Sequence, residues 1–193
     1  ISHKGTIVDA TFVDAPRQRN SRDENKKIKN GVIPEEWEKP ENKSKLAQKD
    51  IDADWTKKNG ERHFGYKDHV KCDADSKLIT NYSVTSASVH DSQRCLVFIG
   101  QEDEVLYADS AYSGKPIALA LPENCKNQIC EKGYRNSPLT SEQKMNNRRK
   151  SRIRCRIEHI FGFMTGAMHG ITIRSIGITR AWMNIGITNL VYN

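Results

Sequence analysis

GTIVDATFVDA, residues 5–15, is a short run of β-branched and aromatic residues with an acidic residue, Asp9, near its centre. Such a run reads as a strand. On the two-residue period of a strand, Ile7 and Asp9 share one face, while Val8, Ala10 and Phe12 share the other. A carboxylate inside an apolar strand calls for a reason, because burying it unpaired costs several kcal/mol. Asp9 is therefore read as functional, with Asp14 as its nearest competitor.

Two further stretches place an acid in a comparable setting. In EVLYADSAYSG, residues 104–114, Asp109 stands where an apolar strand gives way to a small-residue turn, and ligands of open α/β sheets gather at strand ends. In RIRCRIEHIFGFM, residues 152–164, Glu158 lies on a basic helix whose apolar residues fall at helical spacing. Hard divalent ions prefer oxygen ligands, and a carboxylate trio of this kind could hold a pair of them against a phosphodiester. Each acid has a plainer reading: Asp109 as a turn residue, and Glu158 as the partner of Arg154 in an exposed ion pair worth a few tenths of a kcal/mol. The three together favour a metal site.

At 193 residues the chain suits a single domain, residues 1–193, with enough length for a real core. Its 36% hydrophobic and 28% charged residues describe a globular protein, and no apolar run nears the roughly 20 residues a membrane span needs. A soluble, cytoplasmic protein with no membrane partner is expected. The chain opens on Ile1 without a secretory signal pattern, and an N-terminal DNA-binding region is expected to be missing from it. Five scattered cysteines do not describe a disulfide framework. Cys125 and Cys130 have a permitted zinc spacing, but no second close pair completes a site.

The formal net charge of +7 is unevenly placed. Residues 1–130 hold 20 Lys and Arg against 21 Asp and Glu, while residues 131–193 hold 11 against 3. The densest part contains Arg148, Arg149, Lys150, Arg152, Arg154 and Arg156, which would spread around a helix and meet an anionic polymer such as DNA. A solvated helix surface is the alternative.

Residues 16–52 form a polar insertion, rich in Lys, Glu, Asn and Asp, that is expected to lie on the surface. Asn59-Gly60 signals a two-residue hairpin turn. Strands are expected over 63–71 and 78–85, joined by a turn at Asp73-Ala74-Asp75-Ser76. His90-Asp91-Ser92 should cap a helix through 94–99, followed by a strand over 105–108, a helix over 115–121 and a strand around 128–130. A long helix should begin at Thr140 or Ser141, and Ile153, Ile157, Ile160, Phe161 and Met164 should face the core. An apolar helix over 178–191 closes the chain.

This order predicts an α/β fold, a ribonuclease H-like mixed sheet flanked by helices. IVDATFVDA, HFGYKDHV, SVTSASVHDS, VLYADSAYSG and RIRCRIEHIFGFM, with the tail IRSIGITRAWMNIGITNLVYN, resemble the catalytic domain of DDE-class insertion-sequence transposases, in the insertion sequence five group. The resemblance covers nearly everything but the insertion. It implies Asp9, Asp109 and Glu158 as catalytic residues binding two Mg²⁺ or Mn²⁺ ions, with Asp9 bridging both. It also implies double-stranded DNA as partner, both element ends and target, with strand cleavage followed by strand transfer. Nucleoid association and a homodimer on DNA are compatible with it. The family's helix signature places Tyr, Arg, Glu and Lys with two, three and six residues between them. Arg154 and Glu158 match, but Ser151 stands at the Tyr position and Thr165 at the Lys position. Three alternatives stay in view: a non-catalytic DNA-binding remnant, to which those departures give weight, a ribonuclease H-like nuclease that hydrolyses without joining, and a plain basic structural domain.

Overall fold

A computed structural model of the chain describes residue 2, residues 4–58 and residues 60–193. Among them the sheet has six strands: β1 (Thr6–Asp14), β2 (Asp54–Lys58), β3 (Glu61–Asp73), β4 (Ile79–Ser86), β5 (Val105–Tyr107) and β6 (Lys126–Asn127). β1 lies antiparallel to β3 from Thr6↔Asp73 to Asp14↔Gly65, and parallel to β5 at Thr6↔Leu106 and Ile7↔Tyr107. β2 pairs with the first part of β3 and β4 with the rest. The sheet is therefore mixed, with helices on both faces, and the fold is ribonuclease H-like as the sequence predicts. Asn59 of the expected hairpin turn lies outside the described residues.

The pleat of β1 sends its residues into two cores. Val8 packs with Leu106 and, from α4 (Ser92–Phe98) and α5 (Lys115–Ala120), with Cys95, Phe98 and Ile117. Ile7 packs on the other face with Val70, Ile157, Ile160 and Met164. Gly65 is needed where β3 passes beneath the end of β1: its φ is +145°, and a Cβ there would stand 2.7 Å from the Ala15 nitrogen.

The long helix α6 (Ser141–Gly166) starts in a capping box, with Gln143 N–H donating to Thr140 Oγ1 at 3.2 Å and Thr140 N–H to Gln143 Oε1 at 2.9 Å. Its buried residues, Ile157, Ile160 and Met164, all belong to its C-terminal half. The N-terminal half carries Lys144, Arg148, Arg149 and Arg152 exposed to solvent. Helix α7 (Ile178–Tyr192) packs on the same face through Ala181, Ile185 and Asn189, and Trp182 stacks on Tyr82 of β4 at 5.0 Å. No described helix is long and apolar enough to cross a membrane.

Several expectations shift in detail. The strand expected around 128–130 forms at Lys126–Asn127 instead. Gln128 and Cys130 still donate to Leu106 and Ala108 carbonyls, so the segment follows β5 while its regular pairing starts earlier. Asp91 occupies the N-cap of α4 but makes no capping bond there; its carboxylate takes the Lys67 ammonium at 2.8 Å. Asp73 does form the expected turn, accepting from Ser76 N–H at 2.9 Å. The polar segment carries helices α1 (Arg22–Lys29), α2 (Glu35–Glu38) and α3 (Lys43–Ala47). They are organised by Trp37, which is buried and donates its indole N–H to Glu24 at 2.7 Å, while Glu24 also closes a capping box with Ser21.

Candidate active site

Asp9 and Asp109 come together because of one register. Ile7 pairs with Tyr107 on parallel neighbours, and each acid follows its strand's paired residue by two positions. They therefore leave the sheet side by side. Asp109 accepts from Ala111 N–H at 2.6 Å and caps the 3-10 turn Ser110–Tyr112, which holds its carboxylate at the strand end. Glu158 approaches from α6, one residue beyond the buried Ile157, and stays half exposed.

Arg154 is the cation among these acids. Its Nη1 donates to Asp9 Oδ2 at 2.9 Å, and its Nη2 bonds Glu158 Oε1 one turn along the helix. Burial pushes the Asp9 carboxyl up to about 6; the Ala10 N–H and Arg154 pull it down, while the charge of Asp109 adds to the rise. Desolvation works against the Arg154 cation, but the charges of Asp9 and Glu158, the Glu158 hydrogen bond and the charge of Asp109 outweigh it and raise its pKa. Both acids of the sheet thus act on one guanidinium, together with the acid of the helix. Asp14, the competitor, lies exposed at the end of β1 with His63 3.7 Å away.

A surplus of negative charge remains. The Tyr112 hydroxyl, buried beside the site, has no hydrogen-bond partner among the described residues. Burial pushes its pKa up, and Asp9, Asp91 and Asp109 add to the rise. Among the described residues no three His, Cys, Asp or Glu side chains stand close enough together to hold a metal ion. Asp9 and Glu158 are engaged with Arg154 instead. The donor chemistry, three carboxylates with hard oxygens around one guanidinium, fits a divalent ion of the Mg²⁺ type in its place.

The basic residues of α6 divide into two groups. Lys150 is turned inward to the Ile129 carbonyl at 2.9 Å, Arg154 to the acids, and Arg156 to the Ala74 carbonyl and Asp75. Arg148, Arg149 and Arg152 are exposed, and none of them forms an ion pair among the described residues. Lys144, Arg148 and Arg152 line a shallow groove of about 620 Å³. Sequence reasoning missed two participants. Tyr112 reads as part of a small-residue turn, and Lys58, whose charge lowers the Asp9 pKa, comes from β2, which no local pattern ties to Asp9.

No solved structure matches the chain. A family model described as Transposase DDE domain matches residues 2–193. A match of that extent leaves none of the sheet, and neither long helix, outside it, so the chain belongs to the transposase DDE domain family, whose chemistry is the cleavage of DNA that transposition requires.

Proposed function

We propose that this chain is the catalytic domain of a transposase of the insertion sequence five group, cutting DNA at the ends of its element and joining them to a target. One observation supports the reading above others: acids from β1, from the end of β5 and from α6 all act on one guanidinium. Asp9, Asp109 and Glu158 would hold two Mg²⁺ or Mn²⁺ ions. When bound, such ions activate the attacking oxygen and stabilise the leaving one. The chain's own part is to fix the three carboxylates on rigid elements, with Ala10 N–H and Ala111 N–H orienting the two strand acids. Arg148, Arg149 and Arg152 offset phosphate charge along the DNA. Water opens the phosphodiester at the element's end and leaves a 3′-hydroxyl, which then attacks the target strand.

Calorimetric titration with Mg²⁺ and Mn²⁺ tests the assignment. Asp9→Asn should weaken binding far more than Asp14→Asn, because only Asp9 lies among the other acids. Equal affinity in the parent and Asp9→Asn would sink it.

A second reading, a DNA-binding descendant that no longer joins strands, is favoured by the two departures from the helix signature. Thr165 Oγ1 is bonded to the Phe161 carbonyl of its own helix at 2.9 Å, and Ser151 Oγ stands 3.8 Å from Cys130 Sγ. Neither side chain supplies the length of a Tyr or the charge of a Lys. Metal-dependent nicking of element-end DNA separates the readings, since the descendant would bind without cutting.

A further inference from the structure

The polar segment after β1 builds a second basic surface. Arg22, Lys26 and Lys29 fall at i, i+4 and i+7 on α1, one face of the helix, and extend about 10 Å along its axis. Across from them stand Lys57 of β2 and Arg62 of β3, with Trp55 between, and together they line an open groove of about 610 Å³. All five cations are exposed, and none is in an ion pair among the described residues. Lys57 and Arg62 are direct cross-strand partners. Like charges in that position destabilise a sheet, and an anion lying over them removes the cost. The groove's acid, Asp54, is engaged by Trp55 N–H at 2.7 Å.

Glu24 of α1 accepts from the buried Trp37 of α2 and closes the capping box, so α1 is tied to α2. Lys58, next in sequence to Lys57 and so on the opposite face of β2, places its ammonium over the Phe12 ring of β1 at 5.5 Å. A row of cations about 10 Å long beside the half-buried Trp55, whose ring packs on Phe64 at 5.1 Å and has the Arg17 guanidinium 5.9 Å from its centre, suits successive phosphates and a stacked base. An isolated phosphate would meet only part of it, whereas a single strand can lay successive phosphates along the cations and a base beside Trp55.

We infer that the groove between α1 and the β2–β3 hairpin binds single-stranded DNA through Arg22, Lys26, Lys29, Lys57 and Arg62 with stacking on Trp55. The inference rests on DNA being the substrate of the Asp9 site.

Fluorescein-labelled oligothymidylate, titrated with the full chain and followed by anisotropy, tests it, with a labelled duplex in parallel. The double variant Lys26→Glu, Lys29→Glu should bind oligothymidylate roughly tenfold or more weakly, with an unchanged far-ultraviolet circular dichroism spectrum. Oligothymidylate should quench tryptophan fluorescence in the parent and in Trp182→Phe but not in Trp55→Phe. If the double variant binds oligothymidylate like the parent while Arg148→Ala, Arg149→Ala, Arg152→Ala loses duplex affinity, the groove assignment is overturned and the DNA reading stands. If the parent binds neither DNA, both fail. Competition by polyglutamate as effective as by unlabelled oligothymidylate marks a general polyanion surface and also overturns the assignment.

Discussion

Arg154 Nη1 lies 2.9 Å from Oδ2 of Asp9, a residue 145 positions away in sequence, and with its other terminal nitrogen the same side chain holds Glu158. The guanidinium is thus the counter-ion of the carboxylates proposed to hold metal. In Arg154→Ala the buried Asp9 carboxylate keeps only the Ala10 N–H, and the chain should lose about 1–3 kcal/mol of stability without divalent ions. Mn²⁺ should then raise the melting temperature of the variant more than that of the parent. An unchanged melting temperature together with an unchanged Mn²⁺ response would remove Arg154 from this role.

On the same face of the sheet, Asp68 is fully buried beneath α7, against Asn189, and neither side chain makes a hydrogen bond of normal geometry among the described residues. Burial pushes its carboxyl from 3.8 up to about 7, with Asn189 pulling it down. The folded chain therefore binds more protons than the unfolded chain between these two pH values. Stability from this group is complete below about pH 4 and is lost as pH rises to about 7, on the order of 4 kcal/mol in all. In urea unfolding across that range, Asp68→Asn should lose most of the decline, leaving the slope of Asp9, raised to about 6, opposed by that of His69, which burial lowers from 6.5 to about 4. A decline equal to the parent's would mean that Asp68 does not titrate there.

Exposed arginines on α6 should contribute to DNA affinity without base preference. Replacing Arg148, Arg149 and Arg152 with Ala should weaken binding to all duplexes alike, since interactions with phosphate carry little sequence information. The log-log salt dependence should flatten by roughly 0.9 for each phosphate no longer neutralised. An unchanged slope would leave these residues as solvated surface.

Thr165 stands about two turns beyond Glu158 on the same helix face, with its hydroxyl tied to the Phe161 carbonyl. A Lys there would reach outward past the acids. In a strand-transfer assay with element-end DNA, Thr165→Lys should raise joining more than Ser151→Tyr does, because Ser151 sits beside Cys130. Efficient joining by the unaltered chain, or nicking without any gain from Thr165→Lys, would refute this.

Asp9 stands out in the sequence because a carboxylate within an apolar strand calls for a reason. Asp109 and Glu158 also have plainer local readings, as a turn residue and an ion-pair partner, and the structure shows both of those contacts. The Arg154–Glu158 pair is also legible, from its four-residue spacing. What no local pattern carries is that Arg154 also reaches Asp9, because that bond depends on how α6 lies across β1. The polar segment hides its helices for a related reason. Its apolar residues are too sparse to reveal a core, yet Ser21 and Glu24 have capping-box spacing, and one tryptophan, Trp37, suffices to gather three short helices. The shift of β6 is of another kind: hydrogen bonds continue past its end, so where the strand stops depends on pairing geometry and not on residue type.

Gly65 touches both ends of that segment, since Asp14 and Asp54 are each its register partner and Ala15 N–H donates to the neighbouring Phe64 carbonyl. One extra residue between positions 5 and 9 would invert the pleat, sending Asp9 to the α4 face and Val8 toward α6, so chemistry and core would fail together. Between residues 16 and 49 no such constraint applies, because the chain leaves and returns at the same rung of β3, while Asp50 and Asp52 stay tied to Tyr66 and to Ile178 N–H. That rung is a seam: a foreign loop could be grafted there, or the native one shortened, while Asp9 and Asp109 keep their register.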